Sequence, residues 1–142
     1  MQSSQHMPPV FGSLNPAIEC RPRPAAYAVV RDSEGRIAVV GAHGRYFLPG
    51  GGSLPGETPD ETILREMLEE LARSVRIVSK IGEAVQYFSA EGQQYRMEAT
   101  FFAAEFTGEA TGVGEHELFW LETEKIDAAF YHQCHAWACR QN

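Results

Sequence analysis

Glu66, Glu69 and Glu70 stand close together in this chain, directly after Arg65. Wound into a helix at about 100° per residue, the three acids fall on one side, spread over roughly 100° of arc. Carboxylates so placed repel one another. Two unit charges about 5 Å apart cost roughly 1 kcal/mol in water and about 3 kcal/mol at an effective dielectric near 20. Arg65 lies four residues before Glu69 and four after Glu61, so it can bridge both. One use of such a helix is a solvated acidic face, offset by Arg65 and Arg73. The other is a hard-cation site, because Mg²⁺ takes carboxylate oxygens together with water and substrate phosphates. The run Gly50-Gly51-Gly52-Ser53-Leu54-Pro55-Gly56-Glu57 bears on the choice. Glycines let a backbone approach a ligand, and this loop can fold Glu57 and a carbonyl back toward the acids. Taken alone the run decides little. It lacks the Lys-Ser/Thr ending of a P-loop and does not match Gly-x-Gly-x-x-Gly.

Gly51, five residues, Glu57, seven residues and Arg65-Glu66-Met67-Leu68-Glu69-Glu70 together resemble the Nudix box, Gly-x5-Glu-x7-Arg-Glu-U-x-Glu-Glu-x-Gly-U, with U aliphatic. Seven of the nine defining positions match, over residues 51–73. Phe47-Leu48-Pro49-Gly50-Gly51 just before the box and Trp120 well after it look similar too. The resemblance implies an α/β fold, a Nudix-type α/β/α sandwich with a mixed β-sheet in a single domain. It implies hydrolysis of a phosphoanhydride bond in a nucleoside diphosphate linked to another moiety, with Mg²⁺ or Mn²⁺. A nucleoside triphosphate, a nucleotide sugar and a dinucleoside polyphosphate are all open as substrates.

Carried over by position, Glu66, Glu69 and Glu70 are the metal acids, and the Gly50 carbonyl is a further ligand. Glu57 supports the metal site, and Arg65 orients the acids by salt bridges. Members often supply another acid from a loop ahead of the late Trp strand. Glu115 and Glu117 stand there, Glu115 favoured for its place beside a glycine-rich loop; a polar strand edge is the plainer reading of the pair. Glu66, Glu70 and Glu115 all stay open as the base. The box departs from the pattern at Ala72, where glycine normally ends the helix left-handed, and at Arg73. Alanine favours continuing, so the helix is expected to run on to about Ser74.

Of the residues that could meet substrate, Arg45, Phe47 and Tyr87 are the candidates. Tyr87 is loosely placed like the tyrosine of the dinucleoside polyphosphate hydrolases. The absence of proline after Pro59 counts against the ADP-ribose group. A non-catalytic nucleotide-sensing module is the alternative function. Such modules often lose box acids, which this chain keeps. His132, His135 and Cys139, with Cys134 near, invite a zinc reading, but their spacing matches no standard finger.

These residues need elements to position them. Thr58, Pro59 and Glu61 predict a capping box opening a helix over 58–73. Ile63, Leu64, Met67, Leu68 and Leu71 form its apolar stripe, which is expected to face the core. Strands are predicted over 26–30 and 36–40, joined as a hairpin by the turn 32–35, and over 46–48, stopped by Pro49 and the glycines. A long strand follows over 75–89, bulged near Gly82. Further strands cover 95–106 and 117–121, and helix covers 123–139. Residues 1–24 hold five of the eight prolines and read as an extended Pro-rich N-terminal arm, with the Nudix hydrolase domain over 25–142.

The whole chain fits that picture. Its 142 residues suffice for one domain, and its net charge of −7 argues against extended nucleic acid as a partner. A small-molecule nucleotide stays open as substrate if metal ions supply the positive charge. Three cysteines leave an odd thiol, as in a reducing compartment. No apolar run nears the roughly 20 residues a membrane span needs, and no secretory signal is evident. The chain therefore reads as cytoplasmic, with no membrane partner. A homodimer through the arm stays open.

Overall fold

Strand β2, Cys20–Val29, divides the core by its alternation. Ala25, Tyr27 and Val29 enter one buried cluster, and Ala26 and Ala28 enter another. A strand buried on both faces must lie inside a sheet. β2 does so, pairing in parallel with β7, Gln93–Phe106, and antiparallel with β5, Gly50–Gly52. The computed structural model, which describes residues 7–42 and 44–141, shows a single mixed α/β domain. β7 pairs antiparallel with β6, Val75–Ala90, whose register shifts on both sides of Lys80, near the expected bulge. β1, Val10–Phe11, adds in parallel to β6. A second sheet orders β4 (Arg45–Phe47), β3 (Ile37–Ala42) and β8 (Leu118–Leu121).

The helices cover opposite faces. Helix α1, Pro59–Leu71, supplies Ile63, Met67 and Leu71 to the cluster of Ala26 and Ala28. Helix α3, Gln133–Cys139, supplies Cys134, Ala138 and Cys139 to the cluster of Tyr27. No helix among the described residues is long and apolar enough to cross a membrane.

Several expectations need correction. The turn at 32–35 forms, with Ala38 N donating to Val30 O at 2.9 Å, but β2 and β3 then part into different sheets. They cannot pair further, because β7 and β5 occupy both edges of β2. The glycine run does not merely stop a strand; it is strand β5. The helix expected over 123–139 is broken into a 3-10 turn at Thr123–Lys125, a short α2 at Ile126–Ala129, and α3. The break lets Tyr131 N donate to Tyr46 O at 3.0 Å, tying the segment to the second sheet. The N-terminal residues are tied down as well: β2 is already regular from Cys20, and Gln94 Nε2 donates to Asn15 O at 3.1 Å. Residues 1–6 of the arm lie outside the described residues.

A further correction concerns α1. Its capping box forms as expected, with Glu61 N donating to Thr58 Oγ1 at 3.2 Å and Thr58 N to Glu61 Oε1 at 2.9 Å. Its buried arc, however, is turned by roughly 70° from the apolar stripe. Leu64 is 44% and Leu68 50% exposed, while Glu70 is only 8% exposed. The acids at 66 and 70 face inward, and two leucines face out.

α1 also ends before Ser74. Ala72 takes the left-handed conformation, φ 54° and ψ 37°, that the family pattern reserves for glycine. The segment 108–116 enforces the stop by covering the free carbonyls. Thr111 N donates to Ala72 O at 2.8 Å, Glu115 N to Glu69 O at 2.9 Å, and His116 N to Glu70 O at 2.9 Å. Arg73 Nη2 donates to Gly108 O at 2.7 Å. An alanine held left-handed costs about 1–2 kcal/mol that a glycine does not. Ala72→Gly is therefore expected to stabilise the fold by about 1 kcal/mol and raise Tm by a few degrees. A lower Tm in a thermal melt would show that the strain is not there.

Candidate active site

Strand β5 carries no side chains, and α1 uses the space. A Cβ built on Gly51 would lie 2.4 Å from Glu66 Oε2, so that carboxylate rests on bare backbone. Gly50 N donates to Glu70 Oε1 at 3.0 Å. Gly50 itself has a φ of 142°, and a Cβ there would meet Ala26 O at 2.2 Å. Both inward acids of the helix thus depend on glycine for their position. Gly51→Ala would push only the tip of Glu66, which can swing away. The variant is expected to fold with a Tm within a few degrees of the parent and to lose at least about tenfold in turnover, since small misplacements at a reacting centre cost of this order or more. Unchanged turnover would show that the Glu66 position is not critical.

Arg65 clamps the other side. Its Nε and Nη2 donate to Glu57 Oε2 and Oε1 at 2.7 and 2.9 Å, a bidentate pair. Nη1 lies 3.1 Å from Glu69 Oε1 and 3.4 Å from Glu66 Oε2, and Nη2 donates to Gly52 O at 3.0 Å. Glu57 also accepts from Leu54 N and Thr62 Oγ1. Arg65 holds the Glu57 carboxyl down at about 2, with the Leu54 and Thr62 bonds assisting. Both Glu57 oxygens are thereby engaged, and Glu57 secures the loop from outside the cavity.

The inward pair behaves in the opposite way. Burial pushes Glu70 up to about 8; the Gly50 N–H opposes this, while the charges of Glu66, Glu115 and Glu69 add to it. Burial also raises Glu66, with Arg65 opposing and Glu69 and Glu115 adding. Glu70 has no ion-pair partner among the described residues, and Glu66 has only Arg65. Hard oxygen donors so placed fit a divalent cation. Among the described residues no three His, Cys, Asp or Glu side chains converge into a ready cage. Mg²⁺ does not need one, since it usually keeps waters and takes one or two carboxylates plus phosphate oxygens.

Glu66 and Glu70 line a cavity of about 260 Å³ with Gly50 to Gly52, Phe47, Arg23 and His116. Glu69 is half-exposed beside Arg65 and does not line it. Glu115 is exposed, but its backbone bond to the helix end holds it near enough for its charge to act on both inward acids. Glu117 is also exposed and lies outside the cavity. A larger hollow of about 490 Å³ lies elsewhere, beside Val29, Ser79 and Ala104, with no cluster of acids.

Of the residues singled out for substrate, Phe47 reaches the cavity. Arg45 does not; its guanidinium lies 4.3 Å from the centre of the Tyr131 ring. Tyr87 does not either. It pairs across the strands with Arg96, and its neighbour Phe88 joins the cluster of Tyr27. Phe88 stacks on Tyr95 at 5.2 Å and meets His132 at 4.8 Å. The sequence reading missed Arg23, Tyr27 and His116. Period-two alternation aligns Arg23 with Ala25 and Tyr27, but Arg23 fell within the segment read as an arm. The histidines and thiols near the C-terminus are core groups. His135 Nδ1 accepts from Leu48 N at 3.1 Å, burial pushes His132 down to about 4, and burial pushes Cys134 and Cys139 up to about 12.

The family model of the NUDIX domain matches residues 21–137. The fold is similar to that of a NUDIX hydrolase from Nitrosomonas europaea, at 18% identity and a TM-score of 0.69 over 83% of this chain and 86% of that one. It is similar to a MutT NUDIX hydrolase from Burkholderia pseudomallei, at 25% identity and 0.66 over 85% and 98%. It is also similar to a MutT protein from Methanosarcina mazei Go1, at 21% and 0.65 over 86% and 93%. No curated protein matches the chain.

Proposed function

The chain belongs to the Nudix family and is a pyrophosphohydrolase of that type, and from that premise we propose that it uses a divalent cation, Mg²⁺ or Mn²⁺, to hydrolyse a phosphoanhydride bond in a nucleoside diphosphate linked to another group. One observation carries this reading: two inward-facing carboxylates, half-buried Glu66 and buried Glu70, rest on the glycine strand β5 inside a cavity. Glu66 and Glu70 would hold the cation, Gly50 would lend its carbonyl, and Glu69 would complete the acidic edge through Arg65. When bound, the cation supplies Lewis-acid polarisation of the phosphoryl oxygens and a more acidic water. The chain's own residues do the rest. Arg65 and Glu57 fix the helix against the loop, so that the inward acids are in place before substrate arrives. A carboxylate takes the proton of the attacking water. Glu66, Glu70 and Glu115 are the candidates for that role. Phe47 offers a ring to the base or sugar. A small nucleotide in the cytoplasm is the partner this reading implies.

The test is phosphate release from nucleoside triphosphates, nucleotide sugars and dinucleoside polyphosphates, with and without Mg²⁺. Turnover that needs Mg²⁺ is expected on at least one class. Tight binding without turnover on every class would overturn hydrolysis and favour a nucleotide-sensing module.

A further inference from the structure

Arg73 stands where the box calls for an aliphatic residue. Its Nε and Nη2 both donate to Gly108 O, at 3.1 and 2.7 Å. Its guanidinium carbon lies 3.9 Å from the centre of the Phe106 ring, which meets Trp120 edge-on at 6.1 Å. An aliphatic side chain could cover that ring but has no donor for the carbonyl. Arg73 makes no ion pair among the described residues. Its fork is committed to the segment that leaves β7.

That segment needs an anchor. Residues 107–113 are all exposed, Val113 wholly so, and apolar packing does not hold them. Glycines at 108, 112 and 114 make the segment costly to order. Yet its far end lies hard against α1. A Cβ on Gly114 would lie 2.2 Å from Glu70 O, and the amides of Glu115 and His116 donate to the Glu69 and Glu70 carbonyls. The near end is tied by Thr107 N, which donates to Ser74 O, by Thr111 Oγ1, which donates to Ala72 O at 3.1 Å, and by the Arg73 fork. Both ends are thus fastened at the close of the helix that carries Glu66 and Glu70.

We propose that Arg73 is a positioning residue for hydrolysis: it anchors the segment 107–116 to the end of α1, and so holds His116 at the cavity of Glu66 and Glu70 and Glu115 near it. The inference rests on the hydrolase reading above, but one of its two measurements needs no turnover. Amide hydrogen exchange on the full chain reads the anchor directly. Arg73→Met keeps a stem over Phe106 and loses both donors. In that variant the amides of Thr111, Glu115 and His116 should exchange at least about tenfold faster, while that of Met67 inside α1 stays as slow as in the parent. On a nucleotide that the parent hydrolyses, kcat should fall by about tenfold to a hundredfold, with KM changed much less. Arg73→Lys keeps the charge but loses the fork, so both readouts should fall between parent and Arg73→Met. Adding Arg73→Met to a chain that already carries Glu115→Gln and His116→Gln should cost no more than about a further twofold, because Arg73 acts through those two residues. Parental exchange at Glu115 and His116 in Arg73→Met overturns the proposal. So does a loosened segment with parental kcat, and so does an undiminished loss in the chain that already lacks both side chains. Thermal melts accompany each variant. If Arg73→Met does not fold, the same measurements on Arg73→Lys decide, and parental values there overturn the proposal. A parent that turns over no nucleotide sinks the hydrolase reading instead, and exchange alone then judges the anchor.

Discussion

Glu66→Gln is expected to lower Mg²⁺-dependent turnover by on the order of 10²–10⁴-fold while the protein keeps its fold. The change preserves shape and removes charge. A bound cation contributes several kcal/mol of transition-state stabilisation, and each 1.36 kcal/mol is tenfold in rate. Glu66 is the acid that Gly51 exists to admit, and its carboxylate lies inside the cavity. Glu69→Gln should cost less, because Glu69 is half-exposed and pairs with Arg65 instead of lining the cavity. The family pattern treats the two alike; the geometry ranks them. Initial rates over a range of Mg²⁺ concentrations decide the matter. Glu66→Gln should need more Mg²⁺ as well as turn over slowly. Near-parental rates at saturating Mg²⁺ would remove Glu66 from the metal site, and a Glu69→Gln loss as deep as that of Glu66→Gln would undo the ranking.

That ranking shows where the sequence stopped being legible. The spacing of Glu57, Arg65, Glu66, Glu69 and Glu70 is a local property of one loop and one helix, so it could be read directly. The capping box at Thr58 and Glu61 is equally local and formed as expected. The rotation of α1 about its axis is not local. Hydrophobicity alone turned Leu64 and Leu68 inward, but β5 offered only glycines to that flank. A carboxylate accepting the Gly50 N–H fits there, and a leucine would leave that N–H without a partner. Partition of strands between two sheets was hidden for a similar reason. A turn at Asp32 reads as a hairpin unless one knows that β5 returns to occupy the edge of β2. Ala72 was misread because helix propensity favours continuation, whereas the backbone bonds from Thr111, Glu115 and His116 come from a loop some forty residues away. Those same bonds bring His116 to the cavity and hold Glu115 near it, so the departure from the box pattern leaves the inward acids in place. Arg23 was missed through composition: Pro22 and Pro24 marked an arm, yet exposed prolines are tolerated at the end of β2 while the alternation aligns the arginine with Tyr27.

The second large effect is on stability, and it follows from the charge that Glu70 lacks. Its carboxyl is held at about 8 by burial, against an ordinary 4.5, so the folded chain retains a proton that the unfolded chain gives up. Stability is then fully present below about 4.5 and falls as pH rises toward 8. At about 1.36 kcal/mol per pH unit, the loss reaches at most about 5 kcal/mol, and Glu66, raised in the same direction, adds to it. Glu57 works the other way: its carboxyl is depressed to about 2, so its share is present above the ordinary value and is lost as pH falls through about 2. Metal-free protein should therefore be most stable near pH 5 and lose roughly 5–15 °C of Tm by pH 8. Mg²⁺ should raise Tm more at pH 8 than at pH 5, because an ion that binds the ionised acids of the folded state must compete with protons at the lower pH. Glu70→Gln has no proton to lose there, and its melts in chelator should be much flatter across this range. A parental Tm that stays level from pH 5 to 8 in chelator, or a Glu70→Gln slope as steep as the parent's, would show that the buried carboxyl is not the group that sets the pH response.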